Sequence, residues 1–96
     1  MTRTLAIECN KKIGKKVSLS GWVHTKRDHG KITFIDLYDR SGTIQTVGSG
    51  ELISKLRPQD VIEIEGTVQK RPPSMINEKL ETGKIEIKCE KIQLIS

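Results

Sequence analysis

Residues 21–47 read GWVHTKRDHGKITFIDLYDRSGTIQTV, and the alternation within this stretch decides the fold. Two turn signals, Arg27-Asp28-His29-Gly30 and Asp39-Arg40-Ser41-Gly42, divide it into three short antiparallel strands. In the second strand Phe34, Asp36 and Tyr38 share one side, and Ile35 and Leu37 the other. A strand joins a core through one apolar face. Ile35 and Leu37 supply that face, so Phe34 is expected to point away from the core. His24, Lys26, Arg27 and Gln45 lie close to it in sequence. A ring among basic and amide side chains has the composition of a binding surface.

Upstream, Val17, Leu19, Gly21 and Val23 alternate with Ser18, Ser20, Trp22 and His24, which extends the first strand back to Lys16. Gly21 in its middle marks a bend. Residues 1–15 read as an N-terminal extension whose Leu5 and Ile7 tuck against the domain edge. Downstream, Lys31–Tyr38 and Thr43–Val47 complete the hairpins. Glu51–Leu56 is the one helix expected, capped by Ser49 and burying Leu52, Ile53 and Leu56. Val61–Lys70 forms the fourth strand, Arg71–Gly83 a long loop, and Lys84–Leu94 the fifth strand. In that last strand Ile85, Ile87 and Cys89 share a face, and a phase change near Glu90-Lys91 brings Ile92 and Leu94 back inward through a bulge.

Five strands with a short helix between the third and fourth give the order of an OB-fold, an all-β, partly open five-stranded Greek-key barrel. Residues 1–96 then form a single domain. An SH3-like barrel would leave the helix and the fifth strand unexplained. Oligonucleotide binders of the OB architecture use the face of strands 2 and 3 with the loops joining strands 1–2 and 4–5. Those loops are expected at Arg27–Lys31 and Arg71–Gly83.

Composition agrees with a polyanion-binding domain and excludes several other classes. Seventeen Lys and Arg face twelve Asp and Glu, a net charge of +5. Cys9 and Cys89, the only cysteines, lack metal-site spacing and read as reduced intracellular thiols. No stretch has the apolar length of a signal peptide or a membrane span, so a cytoplasmic protein without a membrane partner is expected. His24, His29, Asp28, Asp36 and Asp39 have neither metal-ligand spacing nor the context of a nucleophile. Catalysis by these residues is not expected, and no cofactor is needed.

Four side chains carry the binding reading. Phe34 can stack on an unpaired base, against the alternative of an ordinary core phenylalanine. Gln45 can read a base edge with its amide or be a solvated strand residue. Arg27 can pair with phosphate, stack on a base or lie solvated in its loop. Glu86, expected outward, either accepts hydrogen bonds from the amino groups of guanine or cytosine or pairs with Lys84 or Lys88.

The same run resembles the N-terminal anticodon-binding domain of bacterial aspartyl-tRNA synthetase. The likeness rests on Gly21-Trp22-Val23, Arg27-Asp28-x-Gly30, Phe34-Ile35-Asp36, Asp39-Arg40-x-Gly42 and Gln45. A second block has Gly66-Thr67-Val68, Arg71-Pro72, Ile76-Asn77 and Thr82-Gly83-x-Ile85-Glu86. By that resemblance Phe34 stacks on the central anticodon base, Gln45 with Arg27 reads it as uracil, and Arg71, Asn77 and Glu86 line the groove for the flanking bases. The partner implied is tRNA-Asp. His29 stands where the family tends to have histidine in enzymes that also accept tRNA-Asn. Gln69 and Lys70 depart from a more arginine-rich strand end, and Lys84 from a common acidic residue. The family's class II catalytic domain, which takes ATP and Mg2+, has no counterpart in these residues. The chain is therefore expected to be a monomeric domain of a homodimeric enzyme. A free-standing single-strand-binding OB protein and a protein-interaction barrel are the alternatives.

Overall fold

The computed structural model describes residues 3–96. Its strands are β1 (Lys16–His29), β2 (Ile32–Asp39), β3 (Gly42–Ser49), β4 (Val61–Lys70) and β5 (Ile85–Leu94). They close into a barrel in the order β1-β2-β3-β5-β4. The barrel is thus fully closed rather than partly open. Closure depends on a parallel β3–β5 seam of two register pairs, Thr46↔Ile87 and Val47↔Lys88.

β1 is long because it serves two partners. Lys16 to Trp22 pair with β4, and Trp22 to His29 pair with β2. The strand must bend where it changes partner, and Gly21 sits there. A Cβ at Gly21 would stand 2.3 Å from the Tyr38 carbonyl oxygen, so any side chain would force the strands apart. The β1–β2 register shifts between Val23 and Thr25, adding a bulge immediately after the bend.

The alternation read in the sequence is the alternation observed. Val17, Leu19, Val23, Ile35, Leu37, Ile44, Ile62, Ile64, Val68, Ile85 and Ile87 fill the barrel. All are aliphatic, and their burial supplies the main favourable term in folding. The bulge expected in β5 is present as a register shift opposite Glu65 and Gly66, which leaves Glu90 unpaired in the ladder. Ile92 returns to pack on the core. Leu94 does not: it ends β5, paired with Ile62 in the ladder, and its side chain is exposed.

Three local readings need correction. Arg27 is not in a loop, because β1 runs on to His29 and leaves a turn of Gly30 and Lys31. The helix α1 spans only Glu51–Ser54, with Gly50 at φ +108° as its N-cap in place of Ser49. It buries Ile53, with Leu56 just beyond it, while Leu52 is exposed. At the N-terminus the anchors are Ala6 and Cys9, both buried, with Leu5 and Ile7 only half-buried. They belong to a 3₁₀ helix, Ala6–Lys11. Its first amides are satisfied by the β2–β3 turn, since Asp39 Oδ2 accepts from Ala6 N at 2.8 Å and Ser41 Oγ from Ile7 N at 3.1 Å. A helix start leaves such donors orphaned, and a buried carboxylate from another element meets the need.

Candidate nucleic-acid interface

The outward faces of the five strands carry one continuous row of polar side chains. Register pairs Thr25 on β1 with Asp36 on β2, and Asp36 with Gln45 on β3. On the other side of the seam Glu86 on β5 pairs with Gln69 on β4. Hydrogen bonds join the two halves. Gln45 Nε2 donates to Glu86 Oε1 at 2.8 Å, and Gln69 Nε2 donates to Glu86 Oε2 at 2.7 Å. Arg27 Nη1 donates to Asp36 Oδ2 at 2.9 Å, and its Nη2 to Gln45 Oε1 at 3.2 Å.

Arg71 closes the belt from the segment following β4. Its Nε donates to the Ile85 carbonyl at 2.8 Å, and Nη1 to the Met75 carbonyl at 3.2 Å and to Gln45 Oε1 at 3.4 Å. Its Nη2 is buried and has no partner among the described residues. An unpaired buried donor on a cation is costly, and an incoming acceptor relieves that cost. Burial pulls the Arg71 pKa below its ordinary value, with Asp36 and Glu86 opposing that shift. Burial also pushes Asp36 upward. Hydrogen bonds from Arg27 and Thr25 outweigh it and hold the carboxyl below the usual aspartate value.

Burial distinguishes this belt from an ordinary solvated strand face. Gln45 is 3% exposed, Glu86 4% and Arg71 7%. The expectation of a solvent-facing Gln45 and Glu86 is therefore corrected. Both point away from the barrel axis, but their neighbours in the belt cover them. Glu86 pairs with amides, not with Lys84 or Lys88, and Arg71 is held through Nε and Nη1 while its Nη2 is left unpaired among the described residues. The amide of Gln45 has a defined orientation, because its nitrogen faces a carboxylate and its oxygen faces two guanidinium groups.

Beside the belt lies an open groove of about 380 Å³, lined by Phe34, Ile32, Val47, Pro72, Met75 and Lys88 together with Gln69, Glu86 and Cys89. Phe34 is half-buried in its wall, and His29 meets the ring edge-on with centroids 5.5 Å apart. The structure thus gathers Arg27, Gln45, Arg71 and Glu86 into one network and sets Phe34 and His29 at its margin. Asn77 shares no hydrogen bond with the belt. Its Oδ1 accepts from Lys79 N at 3.1 Å, closing a turn in the loop.

Thr25, Asp36 and Gln69 are the participants that sequence reasoning missed. Their outward phase was legible, since Gln69 follows Glu63, Glu65 and Thr67 on the same side of β4, but nothing local marks them as partners. The same outward surface also carries Trp22 and Tyr38, each 37% exposed and with ring centroids 4.7 Å apart. Among the described residues no group of three or more His, Cys, Asp or Glu could hold a metal ion, and no helix is long and apolar enough to cross a membrane.

A closed five-stranded barrel with this ringed, polar face is matched over residues 17–95 by the tRNA anti-codon family, described as an OB-fold nucleic acid binding domain. The chain belongs to that family. It is 48% identical over 91 residues to an aspartate–tRNA(Asp/Asn) ligase of Dictyoglomus turgidum, covering 88% of this chain and 15% of the relative. An aspartate–tRNA ligase of Staphylococcus carnosus is 41% identical, over 88% of this chain and 16% of its own length. The chain spans about one sixth of the length of the curated relatives it matches. Among solved structures, an aspartyl-tRNA synthetase from Entamoeba histolytica superposes over all of this chain and 21% of its own, with a TM-score of 0.87. At 20% identity that likeness speaks for the fold alone.

Proposed function

We propose that this chain is the anticodon-reading domain of an aspartate–tRNA ligase and that its partner is the anticodon loop of tRNA-Asp. The observation that carries the reading is the buried polar belt beside Phe34. A general single-strand binder needs rings and cations, because stacking and phosphate contact tolerate any base. It does not need an amide locked by a carboxylate and two arginines. Locked donors and acceptors select one base edge over another, at a cost when the wrong edge leaves them unpaired. In this reading Phe34 stacks on the central anticodon base. Gln45, oriented by Arg27, Arg71 and Glu86, recognises it as uracil, and Asn77 and His29 border the flanking bases. The chain itself uses no cofactor. ATP and Mg2+ serve the catalytic part of such a ligase, whose activity lies outside these residues.

The test is a fluorescence-anisotropy titration of this chain with anticodon stem-loop RNAs that differ at single loop positions. Replacing the central uracil should weaken binding by about tenfold or more, the discrimination expected when a buried polar pair is left unmatched. Equal affinity for every loop would instead identify a general single-strand binder. The tRNA-Asn loop in the same panel decides whether the His29 form accepts both.

A further inference from the structure

The belt includes a residue that the proposed readout of bases does not use. Gln69 is half-buried on β4, its amide nitrogen is 2.7 Å from Glu86 Oε2, and it lines the groove beside Phe34. Among the described residues Glu86 has no other side-chain partner on that oxygen, and its Oε1 is taken by Gln45. The two amides approach from the strands on either side of β5. They clamp both carboxylate oxygens, which fixes the carboxylate plane relative to the groove.

Each carboxylate oxygen accepts one of these bonds and retains a further acceptor site. We propose that Gln69 is a positioning residue for base selection: it holds Glu86 so that its remaining acceptor sites meet a base edge bearing an amino donor. This inference rests on the reading of the groove as an RNA site. An arginine at position 69 would bring a positive charge to Glu86. The amide orients the carboxylate while leaving its charge unneutralised for the ligand. Guanine, cytosine and adenine present amino donors, whereas uracil at the same place presents a carbonyl and is disfavoured.

Two variants test it. Gln69→Glu keeps the shape and sets a second carboxylate against Glu86 at hydrogen-bond distance, so the pair should share a proton and titrate as a coupled unit. The other groups facing this pair are the Gln45 amide from β3, Arg71 from the segment after β4, Arg27 with Asp36 from β1 and β2, and Lys88 from β5 itself. The measurement is a carboxyl-detected NMR pH titration of this chain without RNA, with thermal melting to establish that the variant is folded. One carboxyl titrating well above the ordinary glutamate range is expected. Two ordinary glutamate titrations would show that Gln69 does not engage Glu86 and would overturn the inference.

Gln69→Ala is then titrated with stem-loop RNAs that carry each base in turn at the positions flanking the central one. At one flanking position the preference for an amino-bearing base over uracil should fall about tenfold, with little change for the rest of the panel. A uniform loss across all loops would mark a merely structural role and overturn the proposal. If the parent chain binds none of the loops, the RNA reading fails and this inference with it. The RNA-free titration distinguishes that failure from a misplaced Gln69.

Discussion

Replacing Gln45 by alanine tests the belt most directly, because the residue is buried in it and the proposed readout also gives it a share in selectivity. The change removes the only side-chain partner of Glu86 Oε1 among the described residues. It also takes one acceptor from Arg27 and one from Arg71, but both retain others: Arg27 keeps Asp36, and Arg71 keeps the Ile85 and Met75 carbonyls. The penalty therefore falls mainly on the buried carboxylate. A hydrogen bond to a charged group contributes about 1.5–3 kcal/mol, and leaving a buried one unmade costs a similar amount. Taking about 2–3 kcal/mol, and a shift of about 4–8 °C per kcal/mol for a domain of this size, the melting temperature should fall by roughly 10–20 °C. A domain of 96 residues has about 5–14 kcal/mol of stability, so the variant should still be folded at 25 °C. Differential scanning calorimetry measures the shift, and the stem-loop titration at 25 °C then measures affinity on folded protein. A melting temperature within about 2 °C of the parent would mean that Gln45 is a solvated strand residue. The belt would then contribute nothing to the stability of the fold.

Three other outcomes follow from the same structure. Phe34→Ala should weaken binding of every stem-loop by about tenfold, since stacking contributes about 1–3 kcal/mol per base whatever the base; a loss confined to one loop sequence would contradict a stacking role. Gly21→Ala should destabilise the fold by roughly 1–3 kcal/mol because its Cβ would meet the Tyr38 carbonyl, and an unchanged urea midpoint would show that the bend does not need glycine. The Asp36 carboxyl is held below its ordinary value in the folded state. The unfolded chain therefore binds the proton first as pH falls. The stability this residue contributes is present above its unfolded pKa, near 3.9, and is lost as pH drops through the lower folded value. Melting temperature measured from pH 6 to pH 2 should decline less steeply below about pH 4 in Asp36→Asn than in the parent, and parallel profiles would remove Asp36 from the account.

The sequence made the barrel legible because its signals are local. β1, β2 and β4 alternate with period 2, both hairpin turns carry glycine, and even the bulge at Glu90 shows as a break in phase. Leu94 kept that phase yet lies exposed at the end of β5, because alternation reports a side and not whether other side chains cover it. α1 was overextended for a similar reason: Leu52, Ile53 and Leu56 suit a helix by spacing, but the observed element is a single turn, Glu51–Ser54, that buries Ile53. The binding face was legible in direction only. Gln45, Glu86 and Gln69 are outward in phase, and phase gives no hint that β5 lies between β3 and β4. That adjacency is long-range, and it turns three solvated polar residues into a buried cluster. Arg71 was hidden in the same way, since the carbonyls that hold it come from Met75 and Ile85.

The two-pair seam between β3 and β5 has a consequence for how this barrel opens. Every other strand boundary is an antiparallel ladder of seven or more register pairs. Sub-global opening takes the boundary with the fewest backbone bonds. At this one, Gln45 and Glu86 act as a side-chain rivet, bridging the gap where the main chain contributes little. A bound base touching both would tighten the rivet, so ligand and closure of the cylinder become thermodynamically linked. Exchange of the amides of Thr46 and Ile87 with solvent would report occupancy of the groove without any probe attached to the ligand.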